Sequence, residues 1–210
     1  MSTLLILGTG GHALSVADAA LALGHWDSLA FLDDEPKETI LGFPVLGRLA
    51  AAEVLRDGHP EAFVALGNNA LRLAWLEKLR GWGFKIPSVI HPRSIVSPFA
   101  EIGEGCVVMA GAVVNVKTVI HEGCILNTGC GVDHNSILGA GVHLSPGVHA
   151  GGDTFIGTRT WICIGATIGS QRSICADSII AAGAAVVSDI TEPGLYAGVP
   201  AVKKQGELDL

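Results

Sequence analysis

The sequence is short of aromatic residues, which make up 5% of its 210 positions, and short of charge, at 16%. A core without aromatics has to be filled by aliphatic and small side chains. Little charge in a chain that is 49% apolar excludes intrinsic disorder. Basic residues are outnumbered, 13 against 20 acidic, for a net charge of −7. That balance argues against nucleic acid as a partner, although backbone amides can still hold a local anion. Long apolar runs are missing too, and none approaches the ~18–20 residues of a membrane span. The apolar start at Leu4–Leu7 has no basic flank and no cleavage-like site, so no signal peptide is expected. Five cysteines, an odd number in no metal-like spacing, read as reduced thiols in a cytoplasmic protein. Glycine is what the chain has in plenty, at 28 positions. Together with so few aromatics, it points to a regular, tightly repeated β architecture.

The first 90 residues read differently from the rest. Thr3-Leu4-Leu5-Ile6-Leu7 is a continuous apolar run, the pattern of a strand buried on both faces. It leads into Gly8-Thr9-Gly10-Gly11-His12 and a helical pattern to about Leu23. A strand, a glycine-rich turn and a helix leave free N–H groups at a helix start, where phosphate can bind. A merely tight βα turn fits as well, because Ala13 stands where the third glycine of the dinucleotide fingerprint would fall. A second strand, Ser28 to Leu32, ends at Asp33-Asp34, which can reach a ribose or base or simply solvate a loop. A third unit runs from strand Ala62–Leu66 through Gly67-Asn68-Asn69 into a helix over about 70–79, with Asn as a natural helix cap. Three βα units make a small parallel, Rossmann-like α/β domain, too short for a complete two-halved nucleotide fold.

From Val96 onward the chain repeats every six residues. Val96, Ile102, Val108, Val114, Ile120, Leu126, Val132, Leu138 and Leu144 keep one phase, continued by Ala150, Ile156, Ile162, Ile168, Ile174, Ile180 and Val186. Four residues after each aliphatic position comes a mostly small residue, such as Cys106, Ala112, Cys124, Cys130, Ser136 or Ala184. No α-helix has a period of six. A strand with one inward aliphatic residue, a small residue near the corner and a glycine to ease the turn does. Three units close a coil of eighteen residues, giving about five coils, roughly 24 Å of stack. This [Leu/Ile/Val]-[Gly/Ala]-x-x-[small]-x pattern resembles the hexapeptide-repeat acyltransferases, whose coils form a left-handed parallel β-helix.

Fold alone does not fix function. Zinc-dependent anhydrases share the architecture but need three converging histidines. Here His121, His134, His143 and His149 share no column of the eighteen-residue coil, so no metal is expected. An ice-binding array would need one repeated small residue, and the columns are mixed. Cys106 and Cys124, stacked at one corner, and Cys130 at the next read as core fillers.

Several segments along the whole chain narrow the resemblance. They are Gly8-Thr9-Gly10-Gly11-His12, Phe31-Leu32-Asp33-Asp34, Gly67-Asn68-Asn69, Val89-Ile90-His91-Pro92, and Asn127-Thr128 ahead of Val132-Asp133-His134. The chain thus resembles the bacterial nucleotide-sugar N-acetyltransferases, which acetylate a 4-amino-4,6-dideoxy sugar carried on UDP, GDP or dTDP. Close relatives of these O-acetylate sialic acid.

The resemblance implies a nucleotide-sugar-binding domain over 1–90, an acetyltransferase β-helix over 91–190 and a tail over 191–210. It implies acetyl-CoA as co-substrate, a homotrimer, and a role in surface-glycan or lipopolysaccharide synthesis. His134 takes the family's place of general base, accepting a proton as the amine attacks the thioester directly, with no acyl-enzyme. A neutral imidazole suits that transfer near pH 7, and backbone N–H groups at the coil turns would meet the oxyanion. His143, Gly152, Ile164 and Gly183 take the positions that line acetyl-CoA. Gly10, Gly11 and His12 take the diphosphate, and Asp33, Asp34 and Gly67 line the base and ribose cleft. Gly198-Val199-Pro200-Ala201 resembles the family's closing motif, with Lys203 and Lys204 able to meet the anionic cofactor. At one place the chain departs from the pattern. Some relatives carry an acid directly after the histidine, where this sequence has Asn135, so the group that orients His134 is left open. Other readings are an O-acetyltransferase acting on sialic acid and a non-catalytic trimeric scaffold.

Overall fold

The computed structural model describes residues 2–35 and 38–205. The chain divides into two compact units, Met1–Pro92 and Arg93–Leu210.

The first unit is a three-stranded parallel sheet with helices. Strands β1 (Thr3–Leu7), β2 (Ser28–Leu32) and β5 (Glu61–Val64) lie in the order β2-β1-β5, with β1 in the middle. Leu4 to Leu7 are fully buried, as a two-faced central strand requires. Helix α1 (Gly11–Leu23) follows β1 and stops at Gly24, whose left-handed φ of 68° closes the last turn. Helix α3 (Asn69–Gly81) follows β5 and is capped by Asn68, whose side chain accepts the Leu71 N–H at 2.9 Å. A hairpin of β3 (Thr39–Ile40) and β4 (Phe43–Pro44) and a short helix α2 (Ala52–Leu55) lie between β2 and β5. Neither was signalled by the apolar pattern.

The second unit is a parallel β-solenoid with three strand columns. One column stacks six strands, beginning with Ile95–Val96, Val113–Val114 and Gly131–Val132 and ending at Ala185–Val186. Partners are eighteen residues apart, as in Val114↔Val132 and Val132↔Ala150. The repeated aliphatic positions from Val108 to Val186 are all at most 4% exposed, so they form the inner wall. The small residues between them are buried as well, including Cys106, Cys124 and Cys130. Their thiols bond along the stack: Cys106 Sγ donates to His121 O at 3.1 Å, and Cys124 Sγ donates to Gly139 O at 3.2 Å. Burial pushes the Cys130 thiol up to about 12, so it stays protonated as a core filler.

The turns use glycine in two ways where the sequence pattern suggested one. A residue with positive φ recurs three places after each aliphatic position, from Gly105 through Gly111, Lys117 and Gly123 to Gly183. The glycines directly after an aliphatic residue do another job. A Cβ on Gly139 would lie 2.6 Å from the Thr158 backbone nitrogen, so the missing side chain lets successive coils approach.

The phase breaks after Val186. Ile190 pairs with Ile174, sixteen residues back, and Gly194–Ala197 adds a parallel strand on Ser178–Ile180 with the same shortened offset. Val202–Lys203 then pairs antiparallel with it. The segment expected as a tail therefore extends a sheet of the solenoid as far as Lys203. Its last five residues, 206–210, lie outside the described residues. Lys203 is engaged by Glu192 at 2.8 Å, which raises its pKa.

Candidate functional site

In a parallel sheet the loops at the C-terminal strand ends share one edge. In the first unit these loops are Gly8–Gly11, Asp33–Asp34 and Ala65–Asn69, and they carry five of the six residues expected at the nucleotide, the sixth, His12, following in the first turn of α1. Gly8 sits at φ 113°, and a Cβ there would come 2.9 Å from Ala65 O, so this turn accepts only glycine. Gly10, Gly11 and Gly67 differ, because a Cβ on any of them would meet nothing within 4 Å. Gly10 and Gly11 are exposed at the start of α1, where the first N–H groups of a helix lack partners within it.

The two aspartates are used unequally. Asp33 Oδ2 accepts the Thr9 N–H at 2.7 Å and the Thr9 hydroxyl at 2.5 Å, while Oδ1 accepts the Glu35 N–H. Asp33 therefore fastens the glycine loop to the end of β2. Asp34 is exposed, with Oδ1 accepting the Leu49 N–H at 3.2 Å.

One residue of this edge escaped the sequence reading. Arg72 on α3 is 1% exposed, donating to the carbonyls of Leu66 and Gly67 at 3.0 and 3.2 Å and to Asn69 Oδ1 at 2.8 Å. It holds the Gly67 turn, and no local pattern marks a buried arginine on a helix. Burial, followed by the Arg72 charge, lowers His12 to about 4. His12 is thus neutral at pH 7.

That shift has a stability consequence. Between about pH 4 and the ordinary histidine value of 6.5 the unfolded chain binds a proton at His12 that the folded chain does not. The stabilisation is complete above pH 6.5 and is lost as pH falls toward 4. Thermal melts from pH 7 to 4.5 are expected to show a steeper loss in the native protein than in His12→Asn. Parallel curves would contradict this environment for His12.

In the solenoid, His134 follows the strand Gly131–Val132 and precedes a corner. The corner residue, Asn135, has φ 56°. One turn away, Asp153 has φ 58°, and the corner column runs Lys117, Asn135, Asp153, Gln171, all left-handed and none of them glycine. Non-glycine residues in this conformation cost energy, Asn and Asp least.

The His134 ring lies over Gly152, where a Cβ would stand 2.5 Å from Cε1 and 2.7 Å from Nε2. Nδ1 is 3.1 Å from Asn135 Nδ2, and that amide donates to Asp153 Oδ1 at 3.2 Å. Asp153 Oδ2 stands 3.9 Å from Nδ1, and the Asp153 N–H donates to His134 O at 2.9 Å. Asp133 is turned elsewhere. Its Oδ1 accepts from Asn115 Nδ2 and from the His134 backbone N–H, and those two bonds hold its carboxyl below the usual range. It lines a groove of about 440 Å³ together with Gly129, Gly131 and His149.

The remaining residues expected at the cofactor fall into two further groups. His143 is half-buried and stacked on Trp161, with 5.7 Å between ring centres. Trp161 in turn donates to Ser145 Oγ at 2.9 Å. In the corner column of Gly111, Gly129, Gly147, Gly165 and Gly183, the last donates its N–H to Ile164 O at 2.9 Å. Ile164 is an apolar side chain left 58% exposed. So the structure joins His134 with Gly152 and Ile164 with Gly183. Asn135, Asp153 and Trp161 are additions to the expected set. Among the described residues no cluster of three or more His, Cys, Asp or Glu could hold a metal ion, and no helix is long and apolar enough to cross a membrane.

A six-residue solenoid bearing an exposed imidazole at a coil corner fits the class of hexapeptide-repeat acyltransferases. The model of the PglD N-terminal domain matches residues 3–79. The acetyltransferase domain of PglB from Neisseria gonorrhoeae is 41% identical at a TM-score of 0.95, covering 97% of this chain and 100% of that one. It has also been solved in complex with acetyl coenzyme A. PerB from Caulobacter crescentus, solved with CoA and GDP-perosamine, is 38% identical at a TM-score of 0.94 over 98% of each chain. Variants of the Caulobacter enzyme with one histidine changed to asparagine or alanine have been solved with the same two ligands. A curated relative, UDP-N-acetylbacillosamine N-acetyltransferase of Bacillus subtilis, is 34% identical over 118 residues, and that stretch spans 52% of each chain. The chain belongs to the nucleotide-sugar N-acetyltransferase family of hexapeptide-repeat acyltransferases.

Proposed function

We propose that this protein transfers the acetyl group of acetyl-CoA to the 4-amino group of a nucleotide-linked 4-amino-4,6-dideoxy sugar. The observation that carries the reading is the likeness, over nearly the whole chain, to a structure holding CoA and GDP-perosamine. The sugar amine attacks the thioester carbonyl, a C–N bond forms, the C–S bond breaks, and CoA leaves as the thiol. His134 takes the proton that the amine loses and returns one to the departing sulfur. Its exposed ring, seated on Gly152, leaves room for a substrate amine to approach. Gly152, Ile164, Gly183 and His143 would line acetyl-CoA: two bare backbones, one exposed apolar side chain and a stacked ring suit an uncharged pantetheine arm. Gly10 and Gly11 would hold the diphosphate on the N–H groups opening α1, with neutral His12 as a further donor. Asp34 and Gly67 would face the nucleoside, and Asp33 would act through the loop it fastens. The protein would work in the cytoplasm, as a homotrimer, in the synthesis of surface glycans.

The test is the chemistry of the product. Acetyl-CoA labelled in the acetyl group, incubated with a GDP- or UDP-linked 4-amino sugar, is expected to leave its label on the nucleotide sugar in a form stable to mildly alkaline hydroxylamine, as an amide is. Label released by hydroxylamine would mean an ester, and with it an O-acetyltransferase.

A further inference from the structure

The group that orients His134 is not the residue beside it in sequence. Asp133 is committed to Asn115 and to the backbone, and Asn135 carries no charge. We infer that Asp153, one coil away, is the positioning carboxylate for His134. The inference rests on the reading of His134 as the base.

A carboxylate only accepts, so the Asn135 amide must turn its NH2 group toward Asp153 Oδ1, 3.2 Å away. The same nitrogen then faces His134 Nδ1 at 3.1 Å. Asn135 cannot therefore accept a proton from Nδ1. A base working through Nε2 needs Nδ1 to carry hydrogen, both before and after it takes the substrate's proton. The acceptor for that N–H is Asp153 Oδ2, which stands 3.9 Å away, so the exposed ring must turn from the Asn135 amide toward the carboxylate to make the bond. Asn135 meanwhile keeps the carboxylate in place from its other side. Asp153 is held by its own backbone too, since its N–H bonds the His134 carbonyl at 2.9 Å. Both side chains spring from left-handed corner positions in one column, which aims them at the same ring. The acid that some relatives carry directly after the histidine is here moved one turn along the solenoid.

Because Asn and Asp both tolerate the left-handed conformation, exchanging them leaves the coil intact. Asp153→Asn is expected to lower kcat about 10- to 100-fold, the scale of losing an outer partner that orients a histidine ring. Both KM values should stay within about threefold and the melting temperature close to the native value. The exchanged pair, Asp153→Asn with Asn135→Asp, returns a carboxylate to the same ring and is expected to recover kcat to within about fivefold of the native protein. A kcat for Asp153→Asn within about twofold of native overturns the inference. So does an exchanged pair no faster than the single variant. His134→Gln is measured alongside. If it is inactive while Asp153→Asn is fully active, only the role of Asp153 fails. If it keeps full turnover, the base itself is wrong and Asp153 falls with it.

Discussion

Replacing His134 by asparagine is expected to lower kcat by about 10²- to 10⁴-fold, the usual contribution of a positioned general base. Little else should change. The side chain is 48% exposed, fills no part of the inner wall, and its backbone bond to the Asp153 N–H does not depend on the ring. Binding of both substrates and the melting temperature should therefore stay near native. A loss confined to kcat is what separates a base from a residue that merely binds. Steady-state kinetics with acetyl-CoA and an amino sugar, together with a thermal melt, make the check. Equal turnover in the two proteins would remove His134 from the chemistry.

The second large effect comes from one carbon atom. In Gly152→Ala the new Cβ would stand 2.5 Å from His134 Cε1, closer than real carbon contacts allow, so the ring must leave its seat. The backbone at Gly152 does not have a left-handed φ, which means alanine itself is tolerated there. Displacing an exposed ring costs little stability, and the melting temperature should move only slightly. The activity should not survive so well. A shift of about 1 Å in a reacting group can cost on the order of 10²-fold, and the displaced Nδ1 also leaves Asn135 and Asp153. Gly152→Ala is thus expected to mimic His134→Asn in kcat while keeping the histidine. A variant with native kcat would show that the ring has room to work elsewhere.

Much of this could be read from the residues. The six-residue phase from Val96 to Val186 put each inner-wall residue in its place, because burial on a repeating coil leaves a strict signal in apolar side chains. The βα turns at Gly8–Gly11 and Gly67–Asn69 were legible for a similar reason: helix starts need particular residues at particular positions. The hairpin at 39–44 was not legible, since two-residue strands carry no periodicity. The strand Gly194–Ala197 was missed because its sixteen-residue offset falls out of phase.

At the site, His134 was visible only through the likeness of its segment to a family. Its surroundings were not visible at all. Asn135 and Asp153 are eighteen residues apart, and nothing local in the sequence says that two polar corner residues meet over one ring. The left-handed conformation that aims them shows in sequence only where glycine marks it, and this corner column has none. Arg72 was hidden in the same way, as a charge on an ordinary amphipathic helix whose partners are loop carbonyls.

The most direct measurement is release of free CoA thiol by the purified protein, with acetyl-CoA and a set of UDP-, GDP- and dTDP-linked sugars. Each 4-amino-4,6-dideoxy sugar is paired with its 4-hydroxy parent. Rapid release with one amino sugar, and none with its hydroxy counterpart, is the expected result. Release with the hydroxy sugars or with sialic acid, and silence with every amine, would contradict it.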